Sequence, residues 1–265
     1  MPRRLRDNLI FAPAALESKP PLFLVHGVLH GAWCWEPWWI PYFTKAGHDC
    51  YAIDLPGHGD LSGHGINRIT FTDYVDAIVD AIQLIPDSPI LVGHSMGGLL
   101  IQKVMERLQP KGAILLAPLP RRGIGPSAWR ILRHDPLHFL HALLTLDMRK
   151  AFRSAAQVRW AMYSDQMEPE ELDRYRAKMG PESFLAFMGM LWPRVRLSDT
   201  PRIPTLLVAA GQDRLISMAD WLDTAHYLSA EMVDIREAPH NLMLDPCWPQ
   251  VADRVNTWLS AHFSE

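Results

Sequence analysis

The sequence predicts an α/β fold in which helices cover both faces of a doubly wound, mostly parallel sheet. Short apolar runs such as Leu22–Val25 and Thr205–Ala210 are typical of buried strands. Segments with helical spacing, such as Phe71–Leu84, separate these runs along the chain. Strands that alternate with helices pair in parallel through crossovers, and burial on both faces explains why the runs are continuously apolar.

Proline and glycine mark the ends of the first three predicted strands. The first, Leu22–Val25, follows two prolines and precedes His26–Gly27. The second, Cys50–Leu55, ends at Pro56–Gly57, and the third, Ile90–Val92, runs into a glycine-rich segment. Apolar runs bounded in this way are predicted to be buried strands.

Helical segments fill the intervals between the strands. Phe71–Leu84 places its apolar side chains on one face, with Thr70 or Thr72 as the N-cap. Leu99–Leu108 continues as a helix until a proline, and Ala113–Ala117 is the fourth strand. The alternation resumes later with a strand at Thr205–Ala210, a helix at Met218–Leu228, a strand at Met232–Ile235 and a closing helix at Trp248–Phe263.

Residues 119–198 differ in composition from the rest of the chain. Tryptophan, phenylalanine and methionine recur there at helical spacing, and no strand pattern is clear. The segment is therefore predicted to be several helices inserted between two strands of the sheet. Residues 1–118 and 199–265 are predicted to form the core, and residues 119–198 a helical cap, or lid.

The bulk composition is typical of a compact globular protein and excludes several classes of partner. The chain has 265 residues, of which 48% are hydrophobic and 21% charged, with a net charge of −3. No run of Lys and Arg suggests a nucleic-acid partner, and no uncharged apolar run approaches membrane-spanning length. The N-terminal residues lack the sustained apolar core of a signal peptide, so we expect a cytoplasmic protein. The sequence does not predict an oligomeric state.

The three cysteines, Cys34, Cys50 and Cys247, are widely scattered. An odd number without CxxC spacing indicates neither a disulfide framework nor a metal site. Their usage fits a reducing compartment. We expect no metal ion and no cofactor.

A nucleophile motif follows the third predicted strand. Residues 93–97, GHSMG, fit the pattern G-x-S-x-G, with an apolar strand before them and an apolar helix after them. In this setting Ser95 lies on a sharp strand-to-helix turn, where Gly93 and Gly97 leave room for the neighbouring backbone. The helix N-terminus favours developing negative charge. A glycine-rich turn with a chance serine is the alternative, and the setting makes it the weaker interpretation.

A base and an acid are available at the same edge of the predicted sheet. A serine hydroxyl needs a base, usually a histidine that a carboxylate orients, and the order Ser, acid, His is expected with this motif. His240 follows the last predicted strand and Asp213 follows Thr205–Ala210, so both lie at carboxyl ends of strands. Ser95, Asp213 and His240 are therefore the predicted catalytic residues. Acids less well placed for this role are Asp220, Asp223, Asp234 and Asp245.

Two backbone N–H groups are predicted to form an oxyanion hole. One belongs to Met96, directly after the nucleophile, and the other to Val28, in the loop after the first predicted strand. His26 and His94 are expected to be structural. For His30 a place in the pocket and a capping role are both open, and a structural role is favoured.

These motifs together resemble the α/β-hydrolase superfamily, from about Leu22 to the C-terminus. The resemblance implies an α/β-hydrolase fold with a helical cap over the active site, and structural roles for Asp54 and His58. The matching landmarks are His26-Gly27, Asp54–Gly59 (DLPGHG), Gly93–Gly98 (GHSMGG), Gly211–Asp213 (GQD) and Pro239-His240.

A finer resemblance lies in residues 26–35, HGVLHGAWCW, which are similar to the methyl-esterase and hydroxynitrile-lyase branch of that superfamily. The lyases typically have threonine where this chain has Gly27, and lysine where it has Pro239. Both differences favour ester hydrolysis over cyanohydrin cleavage. Haloalkane dehalogenases of the fold use a carboxylate at the position of Ser95 and are excluded.

The sequence thus predicts a serine esterase that cleaves a small to medium apolar ester through an acyl-enzyme intermediate. Alternatives with the same triad are hydrolysis of thioesters, lactones or C–C bonds, and perhydrolysis. An alternative of another class is a receptor that binds its ligand without turnover. The Arg121-Arg122 pair has two interpretations, a contact for an anion or, more simply, a solvated surface pair.

Overall fold

A computed structural model describes residues 3–6, 8–15, 19–63, 65–197 and 202–263 of the chain. Within these ranges the chain forms one eight-stranded sheet and ten α-helices. The strands are β1 (Arg3–Arg6), β2 (Leu9–Ala12), β3 (Lys19–Val25), β4 (His48–Ile53), β5 (Ile90–His94), β6 (Gly112–Leu116), β7 (Thr205–Ala210) and β8 (Glu231–Ile235). The helices are α1 (Trp39–Lys45), α2 (Phe71–Ile82), α3 (Met96–Val104), α4 (Gly125–His134), α5 (Pro136–Thr145), α6 (Ala155–Met162), α7 (Pro169–Lys178), α8 (Phe184–Leu191), α9 (Met218–Leu228) and α10 (Trp248–Phe263).

The strands have the spatial order β1-β2-β4-β3-β5-β6-β7-β8. From β4 to β8 along this order every pairing is parallel, whereas β2 is antiparallel to both β4 and β1. The predicted mostly parallel sheet is therefore confirmed. Because β4 and β5 lie on opposite sides of β3, the winding direction reverses there. Loops at the carboxyl ends of strands beside such a reversal are the usual ligand site of an open α/β sheet.

The structure adds two strands that the sequence pattern did not predict. The residues of β1, RRLR, are all exposed, so this strand has no apolar face that a pattern could reveal. The four residues of β2, LIFA, are mostly buried and pair with β4, which is distant in the sequence. Both strands depend on pairing partners instead of on a local signal, because tertiary context decides the state of such short segments.

The other predicted elements occur in the predicted order, with shifts at their ends. The helix after the serine motif begins at Met96 and not at Leu99, because the turn at Ser95 leads directly into it. Of the two candidate caps for α2, Thr70 is the one used. Its hydroxyl accepts from the N–H of Asp73, whose carboxylate accepts from the N–H of Thr70.

The central strands form the core that supports the site. Every residue of β5, β6 and β7 is buried, in agreement with their continuously apolar sequences. The fully buried Trp35 and Trp39 pack edge to face, with 5.4 Å between ring centroids. The carboxyl ends of these strands are consequently a rigid base for the loops that follow them.

Helices α4 to α8 all lie between β6 and β7 in the sequence, within the segment predicted to be helical. The described part of this segment contains no strand, and its helix α8 packs against α2. The predicted boundary at residues 198–199 and the ends at residues 1 and 265 lie outside the described residues. No helix in the described ranges is long and apolar enough to cross a bilayer.

Candidate active site

Ser95 lies on the turn that joins β5 to α3. Its backbone has φ of 53° and ψ of −115°, a conformation that residues other than glycine rarely adopt. The turn fits because its neighbours are small: a Cβ added to Gly97 would collide with the carbonyl oxygen of Val25. The turn therefore holds the Ser95 hydroxyl at the carboxyl edge of the sheet, next to the N-terminus of α3.

The three side chains predicted to be catalytic are in contact with one another. The Ser95 hydroxyl donates to His240 Nε2 over 2.9 Å, and His240 Nδ1 donates to Asp213 Oδ2 over 2.6 Å. The His240 and Asp213 side chains are buried, with 3% and 0% exposure. Since the Nδ1 proton is held by Asp213, the imidazole presents the lone pair of Nε2 to the serine. This geometry allows a proton to pass from Ser95 to His240.

Backbone contacts fix both partners of the serine. Asp213 Oδ1 accepts from the N–H groups of Leu215 and Ile216 at 2.6 and 2.9 Å, which leaves Oδ2 for His240. The carbonyl oxygen of His240 accepts from His94 Nε2 at 2.9 Å. The carboxylate and the imidazole are thus held by the loops after β7 and β8, whose strands are neighbours in the sheet.

The other acids that the sequence offered have different surroundings. Asp220 caps the N-terminus of α9, and Asp234 is exposed on β8. Asp245 accepts two hydrogen bonds from a serine of the inserted segment. Asp223 accepts from both members of the Arg121-Arg122 pair, at 3.2 and 2.7 Å. This arginine pair therefore connects the inserted segment to α9 as an ion-paired contact.

The backbone N–H groups of Val28 and Met96 are available as donors. No hydrogen bond among the described residues uses either group. Met96 begins α3, and the first N–H groups of a helix have no acceptor within it. The Val28 carbonyl accepts from His30 Nδ1 at 2.7 Å, and Leu29 has a φ of 62°. The loop beside Ser95 thus has a fixed backbone with a free donor.

Burial keeps the remaining histidines of the site neutral. It lowers the pKa of His26 and His94 well below the ordinary value, and that of His30 to about 4. His26 Nε2 accepts from the N–H of Leu55, and His30 Nε2 accepts from the amide of Asn241, each at 3.1 Å. His30, whose place the sequence left open, both lines the pocket and holds the Val28 loop.

Ser95 and His240 lie at the wall of a largely apolar cavity. Side chains of α4, α6 and α8 contribute to the same wall. Within the described ranges, no group of three or more His, Cys, Asp or Glu side chains is arranged to hold a metal ion. The cavity is lined by Val28, Leu29, His30, His94, Ser95, Leu119, Ile124, Ser127, Ala128, Ile131, Met148, Phe152, Met162, Glu182, Phe187, Met190, Leu215, His240 and Asn241.

The wall also contains a buried carboxyl side chain, that of Glu182, which the sequence pattern did not reveal. Glu182 is 2% exposed and accepts from His58, from the Tyr74 hydroxyl and from the N–H of Ser183, at 2.9–3.1 Å. The N–H of Leu29 lies 3.4 Å from the same carboxylate. A lone glutamate beside a proline gives no signal of burial, and most of its partners are distant in the sequence. His58 is thus part of a buried hydrogen-bond network, in line with the structural role that its motif implied.

Parts of this sequence are similar to those of known proteins. A family model described as "Alpha/beta hydrolase family" matches residues 22–254. Methylesterase 3 of Arabidopsis thaliana is 32% identical over 126 residues, which are 45% of this chain and 48% of that protein. Esterase PIR7B of Oryza sativa subsp. japonica is 36% identical over 99 residues, which are 36% of this chain and 37% of that protein. The matched segments thus span less than half the length of either relative.

Solved structures share the fold over nearly the whole chain. A hydrolase from Pseudomonas aeruginosa PA01 has a TM-score of 0.72 at 20% identity, covering 95% of this chain and 94% of that one. Polyneuridine aldehyde esterase has a TM-score of 0.68 at 19% identity, covering 92% of this chain and 100% of that one. These likenesses concern the fold alone. Since the family model spans residues 22–254, the chain belongs to the alpha/beta hydrolase family.

Proposed function

We propose that this protein is a carboxylic ester hydrolase with Ser95 as its nucleophile. One observation carries the proposal: the Ser95 hydroxyl donates to His240 Nε2 over 2.9 Å at the wall of an apolar cavity. A serine hydroxyl becomes a good nucleophile when an imidazole, oriented by a carboxylate such as Asp213, takes its proton. The names of the relatives Methylesterase 3 and Esterase PIR7B support the same class of reaction.

In the first half-reaction the Ser95 oxygen attacks the ester carbonyl carbon while its proton passes to His240 Nε2. The carbonyl electron pair moves onto oxygen, and the N–H groups of Val28 and Met96 donate to this oxyanion. The bond to the alcohol oxygen then breaks, and His240 gives its proton to the leaving alcohol. Asp213 accepts from His240 Nδ1 throughout and stabilises the imidazolium.

The product of these steps is an acyl ester of Ser95. Water enters in place of the alcohol and loses a proton to His240 as its oxygen attacks the acyl carbon. The second oxyanion collapses with release of the carboxylic acid, and the His240 proton returns to the Ser95 oxygen. Water and ester are consumed, acid and alcohol are formed, and the enzyme is regenerated.

Residues 119–198 are proposed to form a cap over this site, inserted between the core segments 1–118 and 199–265. The supporting observation is that side chains of α4, α6 and α8 line the same cavity as Ser95. Its largely apolar wall suits a small to medium apolar ester. The cap side chains would then determine which acyl and alcohol groups are accepted.

A fluorophosphonate probe tests the nucleophile directly. After reaction with the folded protein, peptide mass spectrometry is expected to find the label on Ser95. Ser95→Ala should lose both the label and ester hydrolysis, whereas the exposed Ser88→Ala should keep both. A folded wild-type protein that takes no label would contradict the proposal.

A panel of substrates tests the reaction class. The panel contains p-nitrophenyl esters, acyl thioesters and lactones. The p-nitrophenyl esters of short and medium acyl chains are expected to give the highest kcat/KM. Faster cleavage of thioesters or lactones would assign the triad to that reaction instead. Tight ligand binding without turnover of any panel member would indicate a receptor.

A further inference from the structure

The apolar cavity contains one hydroxyl group that the proposed chemistry does not use. Ser127 on α4 contributes to the wall and is 5% exposed, and its Oγ has no hydrogen-bond partner among the described residues. Buried hydroxyl groups in proteins are nearly always hydrogen-bonded, because losing water without gaining a partner is unfavourable. An unpaired hydroxyl on this wall is therefore a candidate contact for a polar group that enters the cavity.

The geometry of α4 directs this hydroxyl to the cavity. Ile124, Ala128 and Ile131 also line the wall, and with Ser127 they follow the spacing i, i+3, i+4, i+7 of one helical face. Ser127 is the one polar residue in this stripe. Its Oγ is bonded directly to Cβ, so it lies on the cavity face with the apolar side chains of its neighbours.

Local partners do not account for the hydroxyl. A helical serine often donates to the carbonyl four residues before it, here Gly123, but Ser127 makes no such bond. Two other wall atoms also lack partners, Asn241 Oδ1 and His94 Nδ1, but each belongs to a side chain whose other polar atom is bonded within the site. Of the two polar side chains that the inserted segment contributes to the described wall, Glu182 is hydrogen-bonded and Ser127 is not.

We propose that Ser127 binds an oxygen of the substrate, which is an ester whose apolar chain carries a hydroxyl or carbonyl group away from the scissile bond. The inference rests on the function proposed above for the same site. A serine hydroxyl both donates and accepts, so it can pair with either group. An analogue without that oxygen leaves the serine unpaired in an apolar wall, and such a site discriminates against it.

Matched pairs of esters that differ by one oxygen test this inference. One series consists of methyl esters of straight-chain acids with and without an oxo or hydroxyl group, and the other of acetates of the corresponding alcohols. The wild type is expected to prefer the oxygenated member in one series by about tenfold in kcat/KM, the effect of one hydrogen bond. Ser127→Ala should remove the preference, chiefly through a higher KM for the oxygenated ester. The same selectivity in wild type and Ser127→Ala would overturn the inference.

Two further variants separate binding from a structural role. Ser127→Ala is expected to leave the thermal unfolding midpoint unchanged or raised, because its hydroxyl has no partner in the fold to lose. Ser164→Ala removes a buried hydroxyl that donates to Asp245 at 3.1 Å, so it should lower the midpoint and keep the substrate preference. Ser127→Thr retains a hydroxyl and should retain the preference. A midpoint lowered as much by Ser127→Ala as by Ser164→Ala would make Ser127 a structural residue.

The two proposals fail in distinguishable ways. If no ester is hydrolysed, calorimetry with the oxygenated and plain acids and alcohols still measures the Ser127 contact in wild type and Ser127→Ala. The same preference of about tenfold is expected in Kd, and its absence would overturn the inference. Labelling of Ser95 together with no oxygen preference in any series would reject the role of Ser127 and leave the esterase proposal standing.

Discussion

The carboxylate of Glu182 and the imidazole of His58 form a buried ion pair, with 3.1 Å between Oε2 and Nε2. His58 Nδ1 also faces the carbonyl oxygen of Pro56, at 3.2 Å, so each ring nitrogen has an acceptor when the imidazole is protonated. Burial by itself lowers the pKa of His58, but the charge and hydrogen bond of Glu182 raise it above the ordinary value. The pair joins the segment between β6 and β7 to the loop that follows β4.

Glu182→Gln is expected to lower the free energy of unfolding by about 3–5 kcal/mol, because it removes one partner of a buried charge pair. Urea unfolding at pH 6 measures the change. Glu171→Gln is the matched control, since its pair with Arg174 is partly exposed on α7 and should contribute less than about 1 kcal/mol. Equal effects of the two substitutions would contradict the role given to the buried pair.

The same pair makes stability depend on pH in a defined direction. Because the pKa of folded His58 is raised above the 6.5 of the ordinary side chain, its stabilisation is fully present below pH 6.5. It is lost as pH rises through the pKa of the folded state. Unfolding free energies measured upward from pH 6.5 should therefore fall more steeply in the wild type than in Glu182→Gln. Parallel curves would refute the assignment.

Asp213→Asn is expected to lower kcat by about 10,000-fold, the order found when such a triad carboxylate is replaced by the amide. An amide in place of Oδ2 no longer holds the His240 tautomer whose Nε2 lone pair faces Ser95. Initial rates with an ester found in the substrate panel measure the loss. Asp234→Asn, on the exposed face of β8, is the control and should retain full activity. If Asp234→Asn lost activity and Asp213→Asn retained it, the catalytic acid would be Asp234 instead of Asp213.

Gly27→Ala is expected to lower kcat by about 100-fold, the effect of displacing reacting groups by about 1 Å. A Cβ at this position would lie 2.8 Å from His94 Nδ1 and 3.1 Å from Ser95 Cβ, so the loop and the serine turn would separate. Gly63→Ala is the matched control, because only the Leu61 carbonyl oxygen lies near its added Cβ, at 4.0 Å. Steady-state kinetics of both variants test this, and full activity of Gly27→Ala would show that the contact is not required.

Acid should destabilise the protein through His30. Burial lowers its pKa from 6.5 to about 4, so its stabilisation is present above pH 6.5 and is lost as pH falls toward 4. The shift corresponds to about 3 kcal/mol. His30→Gln cannot titrate, so its unfolding free energy should fall less between pH 6.5 and 4 than that of the wild type. Denaturant unfolding across this range makes the comparison, and identical slopes would reject the claim.

Local pattern was sufficient to predict the central sheet and the residues that meet at its edge. Ser95, Asp213 and His240 each follow a strand with a clear apolar signal, and parallel strands bring such loops to one edge. The structure joins the three by hydrogen bonds of 2.9 and 2.6 Å. Their position therefore followed from the order of strands and loops, without any knowledge of side-chain contacts.

The local sequence pattern did not predict features that depend on residues distant in the chain. Glu182 and His58 are separated by 124 positions, and no periodicity marks either as half of a buried pair. The strand at Arg3–Arg6 exists through its pairing with β2 and has no buried face. Ser127 falls in a helical segment of mixed composition, where only the three-dimensional wall distinguishes it from an exposed serine.

The inserted helices leave the sheet after β6 and return at β7, its parallel neighbour. A chain that must cross between these two strands can carry helices there without altering the strands, so the segment is a natural unit for chimeras between relatives. Glu182 limits which segments can be exchanged in this way. A donor segment that lacks this carboxylate leaves the donors on His58 and Tyr74 without an acceptor inside the core. Transplanting a substrate preference into this scaffold therefore requires a carboxylate at that point, or the joint replacement of His58 and Tyr74.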